Sequence, residues 1–177
     1  MMKKWPMVVA LTAVLAACAP SGTSAPPAGS PAASADWSAP TICTLGATET
    51  GIESTPLRFV KGKASILRIW NNSQSRYSFA APEFFAAIAP WKLVHKGRSQ
   101  NLPIVCGLGG TVVQRVPGSI SETSLTSGPM IRSIDVEPGE VSDLYFVPLK
   151  EGRYSFECTL VAEATCTTAT MISVVAE

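Results

Sequence analysis

Few side chains in this chain can do chemistry. Its 177 residues include five cysteines and one histidine, His95. Of the cysteines, Cys18 lies in the leader, and Cys43, Cys106, Cys158 and Cys166 lie in the body of the chain. Four thiols can pair as disulfides, hold a metal or act in redox exchange. No two are spaced Cys-x-x-Cys, which argues against a zinc or dithiol site. An even number in an exported chain favours disulfides. Four cysteines allow three connectivities; the short loop between Cys158 and Cys166 favours that pair, which leaves Cys43 with Cys106. Catalysis has less to draw on. His95 sits in no nucleophile elbow and no metalloprotease helix, and Glu83, beside Phe84, has no neighbouring carboxylate to share acid–base work. The sequence therefore predicts no catalytic residue, no enzyme, no bound metal and no cofactor.

The elements around these residues read as short strands. Tyr154, Phe156 and Cys158 alternate with Arg153, Ser155 and Glu157, the period-2 pattern of a half-buried strand, and Met171-Ile-Ser-Val-Val175 closes the chain. Upstream, Pro56–Val60 and Ala64–Trp70 alternate around the turn Lys61-Gly-Lys63. Met130–Val136 and Val141–Val147 flank Glu137-Pro-Gly-Glu140, a type II turn signature. Pro82 to Ile88 reads as a helical turn that plugs one end with Phe84 or Phe85. Residues from about 89 to 129 are an irregular insertion, with strand-like pieces at Trp91–His95 and Thr111–Val116; a connection this long is the first candidate for a partner surface. The fold class expected is all-β, a Greek-key sandwich of about seven or eight strands spanning residues 41–177.

Two stretches carry a resemblance. Tyr154-Ser-Phe-Glu-Cys158, a loop and a final strand resemble the metal-binding end of the cupredoxins, the family of plastocyanin and azurin. Asn71-Asn-Ser-Gln followed by Arg76-Tyr-Ser-Phe-Ala-Ala-Pro-Glu-Phe-Phe85 resembles the segment that carries their first copper histidine. The resemblance implies a cupredoxin-like sandwich in which Cys158 holds the copper cysteine's place, Tyr77 the first histidine's, Leu160 the second's, and Thr168 or Met171 the axial ligand's, Met171 fitting better as a strand residue. A blue-copper centre needs two imidazoles and a thiolate in a plane, with a weak axial ligand. The histidine places are vacated here, and His95 lies outside both motifs. The resemblance thus implies a degenerate copper site.

The N-terminus points to export. Lys3 and Lys4 precede the apolar run Met7–Ala17, too short to span a bilayer as a helix. Leu15-Ala-Ala-Cys18 resembles the lipobox of bacterial lipoproteins, which implies a signal peptide over residues 1–17 and lipid on Cys18; the alternative is an ordinary peptidase cut after Ala-x-Ala. Ala19, in place of aspartate, implies the outer membrane. Residues 18–40, rich in Ala, Pro, Ser and Gly, read as a disordered tether, with the alternative that Trp37 already belongs to the first strand. Without Lys3 and Lys4, twelve basic side chains face thirteen acidic ones, with no block of one sign. That excludes the basic stripe nucleic-acid binding needs. The expectation is a lipid-anchored, periplasm-facing protein that binds an envelope partner or serves a membrane complex as an accessory subunit. The alternative is an electron-transfer or copper-handling protein with an unusual metal site.

Overall fold

The structure is a computed structural model that describes residues 25–26, 28–96, 106–108, 120–125, 131–161 and 165–177. The strands, in order, are β1 (Thr41–Thr48), β2 (Gly51–Ser54), β3 (Leu57–Val60), β4 (Ser65–Asn71), β5 (Tyr77–Ala80), β6 (Ile88–Lys96), β7 (Cys106–Leu108), β8 (Ile120–Ser124), β9 (Ser133–Val136), β10 (Val141–Pro148), β11 (Gly152–Leu160) and β12 (Thr165–Val175). One helical turn, α1 (Pro82–Phe85), lies between β5 and β6. The first sheet runs β2-β1-β4-β10-β6-β8, with β7 also on β1; the second runs β3-β12-β11-β5-β9. Each sheet contains one parallel pair, β1 with β4 and β3 with β12, among antiparallel neighbours. This is the expected all-β sandwich. The strand number exceeds seven or eight because β2, β6 and β8 extend the first sheet and β7 adds to β1. The described parts of the predicted insertion are thus sheet strands rather than an irregular excursion. Thr111–Val116 lies outside the described residues.

Burial on β11 follows the predicted alternation. Arg153, Ser155 and Glu157 are exposed while Phe156 and Cys158 are buried. The core between the sheets takes Leu45, Leu67, Ile69, Leu144 and Phe146 from one side and Leu57, Phe59, Phe79, Phe156 and Ile172 from the other. Proline at the first position of α1 presets its φ. The turn closes the sandwich as expected: Phe84 meets Phe146 edge-on at 5.3 Å between ring centroids, and Phe85 meets Phe156 at 6.5 Å. Each such aromatic removed from water contributes about 1.5–3 kcal/mol.

The outer face of the first sheet is not the polar face that alternation implies. Strand β4 is buried along its whole length. Arg68 and Asp143, opposite one another on β4 and β10, are 4% and 0% exposed. Arg68 donates Nε to Asp143 Oδ1 at 2.7 Å and an amino group to Oδ2 at 2.8 Å, and Lys96 also donates to Asp143. Burial alone would push the Asp143 carboxyl up, but the hydrogen bonds from Arg68 and the charges of Arg68 and Lys96 hold it below the ordinary carboxylate value. The Trp70 ring lies flat over Gly46, where a Cβ would sit 2.2 Å from Cζ2.

The predicted tether is packed in its last part. Ala32 is fully buried, and the Trp37 indole donates to its carbonyl at 2.8 Å. Trp37 rests 4.7 Å from Trp91 and 5.9 Å from Tyr145, centroid to centroid. Lys92 Nζ lies 4.4 Å and 4.9 Å from the Trp91 and Tyr145 rings. The register of β6 against β10 shifts between Tyr145 and Phe146, so Lys92 and Pro90 take consecutive partners and Trp91 is the extra residue. Such a bulge re-aims a side chain, and Trp91 packs here with Ala32 and Val147. Residues 31–38 therefore form a strap on the outer face. Residues 1–17 and Cys18 lie outside the described residues.

Candidate functional site

The sandwich has two poles. At one, Gly62 donates its backbone N–H to Pro148 and Leu149 donates to Ala87. At the other, Val161 donates to Arg76, Asn72 to Ala47 and Gly139 to Asn71. Tyr77 begins β5 at this second pole and stands opposite Leu160 in the ladder with β11; Cys158 stands opposite Phe79, two positions along. The structure thus brings together three of the four positions that the resemblance marks.

Met171 is the exception. It faces Ser155 in the ladder, is 43% exposed, and belongs to the outward face of the second sheet. Cys158 points into the core from the same sheet, so the expected axial place for Met171 is corrected: side chains three pairs apart on opposite faces cannot share a centre.

The thiols are also placed differently from the expected pairing. Cys158 is 2% exposed and carries a thiol rather than half of a disulfide. The Cys158–Cys166 bridge is therefore not formed. The reason is register: a bulge between Cys158 and Thr159 sets Cys158 opposite Thr168 and Cys166 opposite Thr159. Cys43 is held in a disulfide, and Cys106 stands directly opposite it in the ladder of β1 with β7.

A rim of hydrogen bonds fixes the second pole. The fully buried Asn71 donates Nδ2 to the carbonyls of Ser75 at 2.8 Å and Val136 at 3.0 Å, and its Oδ1 accepts from the Ser73 amide and hydroxyl. The turn of Glu137–Glu140 closes with Glu140 donating to Glu137, and Gly139 has φ 76°, which the type II signature requires. Arg76 pairs with Asp135 and Glu137 across that turn. Burial opposes ionisation of Asp135, but the hydroxyl of Ser78 and the Arg76 guanidinium outweigh it and hold the carboxyl low. The Tyr77 hydroxyl donates to the Thr48 carbonyl at 3.4 Å. His95, near the end of β6, places Nδ1 2.8 Å from the Ser142 hydroxyl and 3.0 Å from the Glu140 carboxylate. Glu83 is exposed on α1.

These residues do not fit a type 1 copper ion. The three converging positions offer one thiol, one phenol and one aliphatic side chain, whereas the centre calls for two imidazoles beside the thiolate. His95, whose Nδ1 meets Ser142 and Glu140, is a single imidazole and cannot fill two histidine places. Among the described residues, no three of His, Cys, Asp and Glu gather as a metal-holding group.

Sequence reasoning missed Asn71 as the organiser of this pole, and it missed the Arg68–Asp143–Lys96 cluster. The second had a signal: Arg68 and Asp143 each interrupt an apolar strand, Leu67-Arg-Ile69 and Leu144 with Val141. Charges there imply a partner on the neighbouring strand.

No protein-family model and no curated protein sequence matches the chain. Solved structures with a similar fold include a multicopper oxidase from Campylobacter jejuni, a metallo-oxidase, at TM-score 0.47 and 12% identity, covering 77% of this chain and 29% of that one. Lac15 from a marine microbial metagenome aligns at TM-score 0.45 and 17% identity, over 80% of this chain and 28% of its own. A copper nitrite reductase from Nitrosomonas europaea aligns at 0.42 and 9%, over 77% and 48%. The chain spans less than half the length of each. The oxidases and the reductase are enzymes by title, so the expectation that this chain is not an enzyme is withdrawn; a chain similar to part of such proteins gives no ground for it.

Proposed function

We propose that this chain is a lipid-anchored cell-envelope protein whose cupredoxin-like domain engages a partner protein, as an interaction module or an accessory subunit, through the pole that carries Tyr77 and Leu160. One observation supports this reading above the others. The pole is laced by Asn71, and Tyr77 and Leu160, the positions that the resemblance gives to the two histidines, face one another across the ladder. Around them, Arg76 and Val161 are exposed, Val161 at 45%. Tyr77 is 5% exposed and belongs to the core, so the apolar surface offered there is that of Leu160 and Val161 beside the charged Arg76, the make-up of a protein-docking patch. The test is co-purification from detergent-solubilised membranes with three chains: wild type, Val161→Asp and, as a control at the other pole, Leu149→Asp. The expected result is a stoichiometric partner kept by wild type and Leu149→Asp and lost by Val161→Asp. A partner retained equally by all three would move the contact elsewhere.

The buried Cys158 thiol supports a second reading, copper handling with ligands supplied by a partner. The two readings separate on adding Cu(II) to the purified domain with and without that partner. The interaction reading predicts no intense thiolate-to-copper absorption and no copper-dependent rise in Tm in either case. A saturable coloured species that appears with the partner and disappears in Cys158→Ser would favour the second.

A further inference from the structure

The strap decides which way the molecule faces. Its seat, formed by Trp91, Tyr145 and Val147, lies on β6 and β10 in the half nearer Pro148. Val147 immediately precedes Pro148, whose carbonyl accepts from Gly62 at that pole. Leu149 is 41% exposed there. The Tyr77–Leu160 pole, with Val161, lies at the other end of the strands. With Ala32 fully buried and Trp37 docked, at most residues 19–31 are left to link Cys18 to the packed protein. Had the strap been loose, the link would run from residue 19 to residue 40. At no more than about 3.5 Å per residue the docked link reaches at most ~45 Å, against ~75 Å for the loose one.

The nine residues of β11 span about 30 Å at ~3.3 Å each, which sets the height of the sandwich. Inverting the domain so that Tyr77 and Leu160 meet the bilayer lifts the strap's seat by most of that height. The docked link would then have to stretch to about half its full reach, a larger share than the loose link would need. From this geometry we infer that the strapped pole is the surface that faces the lipid bilayer, and that the Tyr77–Leu160 pole is held away from it, open to a partner in the aqueous space. This rests on the lipid anchor at Cys18 proposed above.

The test uses the full-length lipoprotein reconstituted into phosphatidylethanolamine–phosphatidylglycerol vesicles that contain an acceptor-labelled lipid. In a Cys166→Ser background, a donor dye is placed on Leu149→Cys or on Val161→Cys; the native Cys158 is 2% exposed and is shielded from labelling in the folded protein. Energy transfer is expected to be several-fold greater from position 149 than from position 161. In a Trp37→Ala background the contrast should shrink. A Gly/Ser insertion of about twenty residues after Ala19, which lengthens the link without touching the seat, should shrink it as well. Equal transfer from both positions, or more from 161, in a chain shown by intact mass to carry lipid overturns this inference alone. A chain that carries no lipid overturns it together with the anchoring proposal.

Discussion

Asp143 is the residue on which the first sheet's outer face depends. Its carboxylate is fully buried and accepts from Arg68 and Lys96. Such a pair contributes modestly when intact but leaves uncompensated charge when one member goes. Asp143→Ala is therefore expected to destabilise the domain by about 3–5 kcal/mol, read by urea unfolding at neutral pH. The sign of the pH dependence follows from the direction of its shift. The folded carboxyl lies below its ordinary value, so its contribution is complete above the unfolded pKa of about 3.9 and is lost as pH falls through the lower, folded value. The stability gap between wild type and Asp143→Asn should accordingly narrow as pH drops below about 4. A gap that stays constant down to the acid transition would show that the carboxyl titrates alike in folded and unfolded chains.

At the scale of elements, two bulges set what each pole holds. The shift at Tyr145/Phe146 makes Trp91 the extra residue of β6, and Trp91 lies in the strap's seat. The shift at Cys158/Thr159 carries Cys166 out of register with Cys158. The pairing of β7 with β1 instead sets Cys106 opposite Cys43. Directly opposed residues on antiparallel strands have Cα atoms about 4.5–5.5 Å apart, within the span a disulfide bridges. Peptide mapping of the exported protein without reduction should therefore return one linked pair, Cys43 with Cys106. Cys158 should react with iodoacetamide only after denaturation. A Cys158–Cys166 peptide in the native protein would contradict the register. Removing the Cys43 bridge is expected to cost about 2–4 kcal/mol, since β7 would then be tied to β1 by three residue pairs alone.

For the whole molecule, the anchor and the fold are separate matters. Replacing Cys18 with Ser should release the protein from the membrane fraction or leave its leader uncleaved, while thermal unfolding of the domain stays unchanged; an unlipidated wild-type chain by intact mass would sink the anchoring proposal. The strand pattern around Tyr154–Cys158, the turn at Glu137–Glu140 and the plug of Phe84 and Phe85 were legible in the sequence, because local periodicity and turn chemistry specify them residue by residue. Tertiary structure alone decided the rest. Register across β11 and β12 separated Cys158 from Cys166 and set Met171 on the far face, and register is a property of two strands that neither strand carries by itself. Burial of both faces of β4 and β10 let Arg68 and Asp143 pair out of water, although their period-2 pattern implied a solvated face. The fate of residues 31–38 lay in a seat built more than fifty residues downstream by Trp91, Tyr145 and a bulge, and a segment of small residues reads as a tether until the surface that receives it exists.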